Sequence, residues 1–470
     1  MKSRIIALII GCAVAVGVSA ETLHSSYFLE RMPYRYRLNP ALINDYGYLS
    51  FPVLGDISFG VNSNLSLSRF LFPQGDGLVT GLHPSISSDK FLGGLKKKNT
   101  LGMDFDLTLL SFGFFAFNGY NTFDLSFKSS TSMYLPKDIF TFLKTGQGKT
   151  GAAEYNFGNI ALQSNNYAEL ALGHARHWND RLDVGARLKF LIGGANIDAR
   201  IDKMNLSLSD EAWRIRSHGY ANVSVAGLSL KQNAKGEISG FDLDSPGLGG
   251  FGMGVDLGAT YRLLDNLTLS MAVTDLGFIH WSQNVRGETP DGAFDFEGFQ
   301  HLGAKDDDEG NNAFDDELDQ IKDDLSALMK FRQVDASSRS TMLRTTLNIG
   351  AEYGVLNNKI SFGLLWSTRF SSIKTRTELM ATANFRPAKC FMATLNGSVS
   401  NTGCSWGALL NLCPKGFNFF VGTDYTITKL SPQFIPVKRP NLSVSLGINF
   451  LFGSDPRLKN RTVYNPVPAY

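Results

Sequence analysis

The sequence predicts an all-β protein, an antiparallel transmembrane β-barrel of about 14 strands, and three observations carry that prediction. First, residues 251–274 alternate. Phe251, Met253, Val255, Leu257, Ala259 and Tyr261 interleave with Gly252, Gly254, Asp256, Gly258, Thr260 and Arg262. Beyond a Leu264-Asp265-Asn266 turn, Leu267, Leu269, Met271 and Val273 interleave with Thr268, Ser270, Ala272 and Thr274. Successive strand side chains point to opposite faces, so this hairpin has one apolar face and one small, polar or charged face. The pattern recurs along most of the chain, as a wall between lipid and a polar lumen requires. Second, 19% charged residues and a mean hydropathy of −0.07 are too polar for a bundle of membrane helices, whereas a barrel hides its lipid face in alternation. Third, the one continuously apolar segment, residues 5–18, lies at the N-terminus.

That segment follows Lys2 and Arg4 and ends in Val18-Ser19-Ala20, the anatomy of a secretory signal peptide over residues 1–20, cleaved before Glu21. It is short for a spanning helix. Ile9-Ile10-Gly11-Cys12 loosely fits a lipoprotein signal, but the apolar run continues past Cys12 to the better site. Of 45 basic and 43 acidic residues, Lys2 and Arg4 leave with the leader, so the remainder is formally neutral. It lacks the concentrated basic face that nucleic acid needs.

Strand-length runs follow at 51–70, 100–112, 121–134, 167–175, 182–198, 251–262, 267–281, 341–354, 359–370, 377–386, 390–399, 404–413, 417–427 and 441–452, which makes 14. A tilted strand needs roughly 9–11 residues to cross a bilayer. Connection lengths set the topology, because outer-membrane barrels have short periplasmic turns and longer extracellular loops. Starting from a periplasmic N-terminus, the short connections 113–120, 176–181, 263–266, 355–358, 387–389 and 414–416 all fall on the periplasmic side. The long ones, 71–99, 135–166, 199–250, 282–340 and 428–440, fall outside, together with two short turns at 371–376 and 400–403. Parity allows 199–250 only an even number of crossings; zero is simplest, and the segment reads as an extracellular ribbon. The barrel then spans 51–452, with 453–470 a Pro-rich periplasmic tail.

The 282–340 insert carries Asp306-Asp307-Asp308-Glu309, then Phe314, Leu318, Ile321, Leu325 and Leu328 at helical spacing. It reads as a solvated helix over the barrel mouth. A calcium loop starting at Asp306 needs Gly at its sixth position, but Gly310 is the fifth.

Motifs for chemistry fail on context. Gly247, Gly249 and Gly252 match a dinucleotide fingerprint, which requires a helix to follow; here a period-two strand follows. Gly148-Lys149-Thr150 lacks the upstream Gly of a phosphate-binding loop, since that position is Leu143. No Gly-x-Ser-x-Gly elbow occurs. His174 and His177 do not share a strand face, so turn and interface roles are expected rather than a metal pair. Neither a catalytic residue nor a cofactor or metal site is expected. Cys390 falls opposite Cys413 if 390–413 is a hairpin; an exported protein can oxidise such a pair, or keep two small thiols in a wall.

The inward register holds Asp104, Asp106, Arg187, Lys189, Asp256, Arg262, Arg344 and Glu352. They read as salt-bridge ladders in a polar interior, which can also serve as a solute path. The opposite register would place them in lipid, at about 2–4 kcal/mol for a basic side chain near the midplane.

Tyr34-Arg35-Tyr36-Arg37-Leu38-Asn39-Pro40-Ala41-Leu42, ahead of the first strand, resembles the FadL-like superfamily of outer-membrane barrels. Thr274-Asp275-Leu276-Gly277 with Trp281, and Val184-Gly185-Ala186-Arg187-Leu188-Lys189, look like that group too. It includes long-chain fatty-acid and hydrocarbon channels and the PorV-type shuttle proteins of type IX secretion. The resemblance, to an uncharacterised subfamily, implies a 14-strand barrel and a lumen hatch over residues 21–50, with Asn39 and Pro40 at its turn. The acidic insert and Pro-rich tail depart from the transporters. The leading expectation is an outer-membrane barrel, not an enzyme, that binds or passes a hydrophobic or amphipathic small molecule. Capture at the outer loops would precede movement past the hatch and exit through a wall opening or the lumen. Outer-membrane lipids are the constant partner. The alternatives are a surface partner for secreted proteins and an outer-membrane lipid-modifying enzyme.

Overall fold

The computed structural model describes residues 22–65, 70–74, 77–145, 153–208, 213–233, 236–243, 247–289, 293–296, 331–334, 338–426 and 442–454. The leader 1–20, the helical pattern of 314–328 and the tail beyond 454 lie outside them.

Fourteen antiparallel strands close on themselves. They are β1 (Gly47–Ser50, then Ile57–Ser63), β2 (Lys98–Ala116), β3 (Gly119–Pro136), β4 (Ile160–His177), β5 (Leu182–Leu208), β6 (Gly250–Leu264) and β7 (Leu267–Trp281). The circuit continues through β8 (Arg339–Met342, then Thr346–Val355), β9 (Ile360–Arg369), β10 (Arg376–Ala388), β11 (Phe391–Ser400), β12 (Gly403–Leu412), β13 (Phe417–Thr423) and β14 (Leu442–Phe452). Each strand pairs with its successor, and β14 returns to both parts of β1 through Gly47–Phe452 and Ile57–Leu446. Closure removes the unpaired edge, whose N–H and C=O groups lipid could not satisfy. Two-residue turns such as Phe117-Asn118 and Asp265-Asn266 close one end; the other carries the long connections together with the short ones at 370–375 and Asn401-Thr402.

The alternation sorts the two faces. Phe251, Leu257, Met271, Val399 and Trp406 are exposed on the outside, while Asp256, Asn348, Asn384, Asn411, Asn418 and Asn449 are fully buried within. A closed barrel with an apolar exterior and a polar interior spans the outer membrane. Its short-turn rim carries clustered aromatic rings, including Phe112 stacked on Phe123 at 4.9 Å and Phe417 against Phe450 at 5.2 Å.

Strand limits differ from the expected ones at several places, as at β4, which begins at Ile160 rather than 167, and three departures shape the lumen. The first wall strand begins at Gly47 rather than 51, and residues 51–56 break it. Phe51, Val53 and Leu54 turn outward there, and Val53 holds a φ of 66°. β5 runs to Leu208, past residue 198, because Trp213–Val225 folds back along it and adds Val285–Glu288 and Ala293–Phe296 as further neighbours. This sheet stands beyond the wall without another crossing. In the 251–274 hairpin, the register shifts between Val255 and Leu257. Asp275, with a φ of 57°, is absorbed in that bulge, so the exposed parity changes from Leu269 and Met271 to Leu276 and Phe278.

Candidate functional site in the lumen

Residues 22–46 lie inside the barrel as two short 3-10 turns, His24–Ser26 and Arg35–Arg37, joined by irregular chain. Its backbone hydrogen bonds are local, such as Ser26 N–H to the Leu23 carbonyl and Arg37 N–H to the Tyr34 carbonyl, so side chains tie it to the wall. Arg37 reaches Asp56 at 3.1 Å, Thr108 at 3.0 Å and Asp124 at 2.7 Å, and its guanidinium lies 4.5 Å from the Tyr34 ring centroid. Tyr36 donates to Asp124 at 2.7 Å, Tyr34 donates to Asn449 at 2.6 Å, and Asp424 accepts from the amides of His24 and Ser25. Arg386 joins Glu30 at 2.8 Å to Glu352 at 2.7 Å. Burial works against the Glu30 carboxylate, but Arg386 and Arg35 overcome it and hold Glu30 below the usual range.

The Asn39-Pro40 turn is fitted to the wall by glycines. Asn39 accepts from the Ala41 amide at 3.0 Å and donates to Tyr27 at 2.9 Å. A Cβ on Gly258 would stand 2.0 Å from Asn39 Oδ1, and one on Gly185 would stand 2.3 Å from the Pro40 carbonyl oxygen. Only glycine lets the turn seat this closely at both positions.

The eight residues of the inward register fall into two groups. Arg187 and Lys189 both pair with Asp256 at 2.8 Å, and Arg344 pairs with Asp104 across the lumen. Asp106 lies beside that network. Glu352 belongs instead with Arg386, and Arg262 lines a separate cavity nearer the short turns. The network also contains groups that the sequence reading omitted. Asp124 bridges Arg37 and Arg187, Glu169 meets Lys128 at 3.0 Å, and Asp275 meets Lys189 at 2.6 Å. Asp124 and Lys128 share strand parity with buried Thr122 and Ser126, so alternation alone could have found them. Asp275 could not be found that way, because it sits in the bulge.

Inward apolar side chains concentrate on β9–β13: Leu365, Met380, Met392, Leu409 and Phe420. They receive the apolar side of residues 22–46. Leu365 and Met380 pack with Tyr27, Phe28, Leu38 and Leu42, while Met392, Leu409 and Phe420 pack with Leu23, Leu29 and Tyr34. The amides of Asn411, Asn418 and Asn449 form a ladder between those contacts.

Two cavities flank the segment. One, of about 110 Å³, is lined on the segment's side by Thr22, His24, Arg37 and Leu38 and on the wall's side by the charged network. The other, of about 160 Å³, is lined by Glu30, Arg35, Leu42 and Asp45 and, at the short-turn end of the wall, by Asp183, Arg262 and Asp265. His174 and His177 are bound locally to Asn121 and Asp183. Cys390 and Cys413 are free thiols on opposed strand ends, joined by a Cys413 amide to Cys390 carbonyl bond of 2.8 Å. Among the described residues, no His, Cys, Asp and Glu cluster is arranged to hold a metal ion.

The chain is similar in structure to the toluene transporter TbuX of Ralstonia pickettii, at 10% identity and a TM-score of 0.44, covering 90% of this chain and 95% of that one. It is similar to the Pseudomonas putida toluene transporter TodX at 8% identity and a TM-score of 0.40, covering 93% and 97%. A Pseudomonas aeruginosa FadL homologue aligns at 9% identity and a TM-score of 0.35, covering 93% and 98%. A comparison with curated proteins finds no match. The model of a family of unknown function, DUF5723, matches residues 40–424, which run from the Pro40 turn through 13 of the 14 strands, and the chain belongs to that family.

Proposed function

We propose that this outer-membrane barrel binds an amphipathic small molecule and passes it through a lumen gated by residues 22–46. One observation carries the reading. Leu38 lines the larger-charge cavity, Leu42 lines the turn-side cavity, and both belong to one apolar cluster with Tyr27, Phe28, Leu365 and Met380. An apolar seam therefore joins two polar chambers, with surfaces for both parts of an amphiphile. In this reading the hatch ends at residue 46, short of the expected 50, because Gly47–Ser50 is wall strand; Asn39 and Pro40 form its turn, the short turns face the periplasm, and the long loops capture the solute. The hatch must move for passage, because it fills the space between the chambers. No step calls for a catalytic group.

Native mass spectrometry of the barrel released from outer membranes tests the reading. The expected spectrum retains a small amphiphile on the protein, and the adduct is lost from a variant lacking residues 22–46. A bare protein mass, under conditions in which a control barrel keeps its lipid, refutes it.

A second reading, a surface partner for secreted proteins, is favoured by the sheet that β5 and Trp213–Val225 build beyond the wall. It predicts secreted proteins in the same preparation, lost when residues 203–218 are replaced by a short turn.

A further inference from the structure

The cavity of about 110 Å³ above the 22–46 segment has a specific hydrogen-bonding deficit. Its six cations, Arg37, Lys128, Arg187, Lys189, Arg344 and Arg369, each have a carboxylate within ion-pair distance. Two buried side-chain oxygens lining it have no partner in the protein: Asp106 Oδ1 and Asn348 Oδ1. Asp106 is 9% exposed and Asn348 is 0% exposed. The Asn348 amide nitrogen is engaged by the Leu38 carbonyl at 2.8 Å, which fixes its oxygen as the free acceptor. Buried polar atoms are normally satisfied, so an unpaired pair of acceptors facing one cavity marks a place for donors.

The surroundings narrow the donor's class. A cationic group would offer donors, but two of the three lining carboxylates, Asp104 and Asp275, already hold Arg344 and Lys189, and the third, Asp106, faces the charges of Lys128 and Arg37. An anion would find those cations already ion-paired, with Arg187 Nε left as a buried donor, and would meet the two unpaired oxygens with acceptors of its own. A neutral, hydroxyl-rich group meets both conditions. It donates to Asp106 and Asn348 and can accept from lining hydroxyls such as Ser129, Ser130 and Thr274. We infer that this cavity is the binding site for a neutral polyol or sugar group, carried either by a free sugar or as the head of a glycolipid-like amphiphile. The inference rests on the reading of the barrel as an amphiphile-binding lumen, and it names the amphiphile's polar end.

The test uses the full mature barrel in phospholipid nanodiscs and saturation-transfer NMR with three probes: methyl glucoside, octyl glucoside and dodecanoate. Octyl glucoside should bind saturably. Asp106→Asn, which removes the charge and presents N–H where an oxygen accepted, should weaken it at least about tenfold. Ser130→Phe, which projects a ring into the cavity, should abolish it. Heat-modifiable gel mobility reports folding, and Ser130→Phe carries the test if Asp106→Asn fails to fold. Binding of methyl glucoside as well supports a free sugar as sufficient; binding of octyl glucoside alone supports the headgroup of an amphiphile. Dodecanoate binding without either glucoside overturns the sugar inference and leaves the amphiphile reading standing. Silence from all three probes overturns both. Glucoside affinity within twofold of wild type in the folded variants also overturns the inference.

Discussion

Replacing Arg37 by Met should release residues 22–46 from the wall without opening the barrel. The guanidinium is 6% exposed, Asp56 is 3% exposed and Asp124 is 1% exposed, so all three groups are out of water. Asp124 keeps Arg187 at 2.8 Å and the Ser111 hydroxyl at 2.9 Å after the change. Asp56 keeps only hydroxyls, from Ser58 at 2.9 Å and Ser445 at 3.1 Å. Among the described residues no other cation pairs with it. The dominant cost is therefore an uncompensated carboxylate at Asp56, and breaking a buried pair from one side costs roughly 3–5 kcal/mol. Met preserves much of the stem against Tyr34, which limits the packing loss. Trypsin cleavage at Arg31 and Arg35 reads the local opening, because cleavage follows the open population when reclosing is fast. The rate should rise by roughly two to three and a half powers of ten. Asp56→Asn in the Arg37→Met background should recover part of this, since it removes the orphaned charge. Cleavage of Arg37→Met within threefold of wild type, or a double variant no slower than the single, refutes the reasoning.

Glu30 gives a pH dependence of definite sign. Its folded-state carboxyl is held below its ordinary value of 4.5, so its contribution is present above that value and is lost as pH falls below it. Docking of residues 22–46 should weaken below about pH 4.5, read by pepsin cleavage of the segment, and Glu30→Gln should flatten that dependence; an unchanged profile in the variant contradicts the assignment. Gly258→Ala should displace the Asn39-Pro40 turn at a cost of roughly 1–3 kcal/mol, because its Cβ would stand 2.0 Å from Asn39 Oδ1. Trypsin protection equal to wild type would show that the turn does not seat there. Leu257→Lys, at a position 51% exposed on the outer face, should destabilise the barrel in bilayers by roughly 2–4 kcal/mol in urea titration. A cost below about 0.5 kcal/mol would remove this position from the lipid face.

Alternation made much of the wall legible. Phe251, Met253, Leu257 and Tyr261 face outward and Asp256 inward because a strand's period of two leaves a side chain no other choice once one face meets lipid. The same rule puts Asp104, Arg187 and Lys189 on the inward register of their strands, and it puts Asp124 and Lys128 there as well. It had no means to reach Asp275, because a bulge adds a residue and shifts the phase. Nor could it see the break at 51–56, where an outward apolar run imitates continued strand.

The sequence by itself determined the strands, their number, their order and the chemistry of their two faces, since these follow from local periodicity and from the length of the connections. Tertiary structure alone decided which charges meet. Arg344 and Asp104 lie 240 residues apart and pair because closure brings β8 and β2 across one lumen. It alone decided what fills that lumen, for the backbone hydrogen bonds of residues 22–46 are local turns, and their place in the lumen is set by Asp56, Asp124, Asn449, Arg386 and Asp424. The two unpaired acceptors at Asp106 and Asn348 belong to the same class of fact. Whether a buried polar atom has a partner depends on every neighbour around it, and those neighbours are assembled only when the barrel closes.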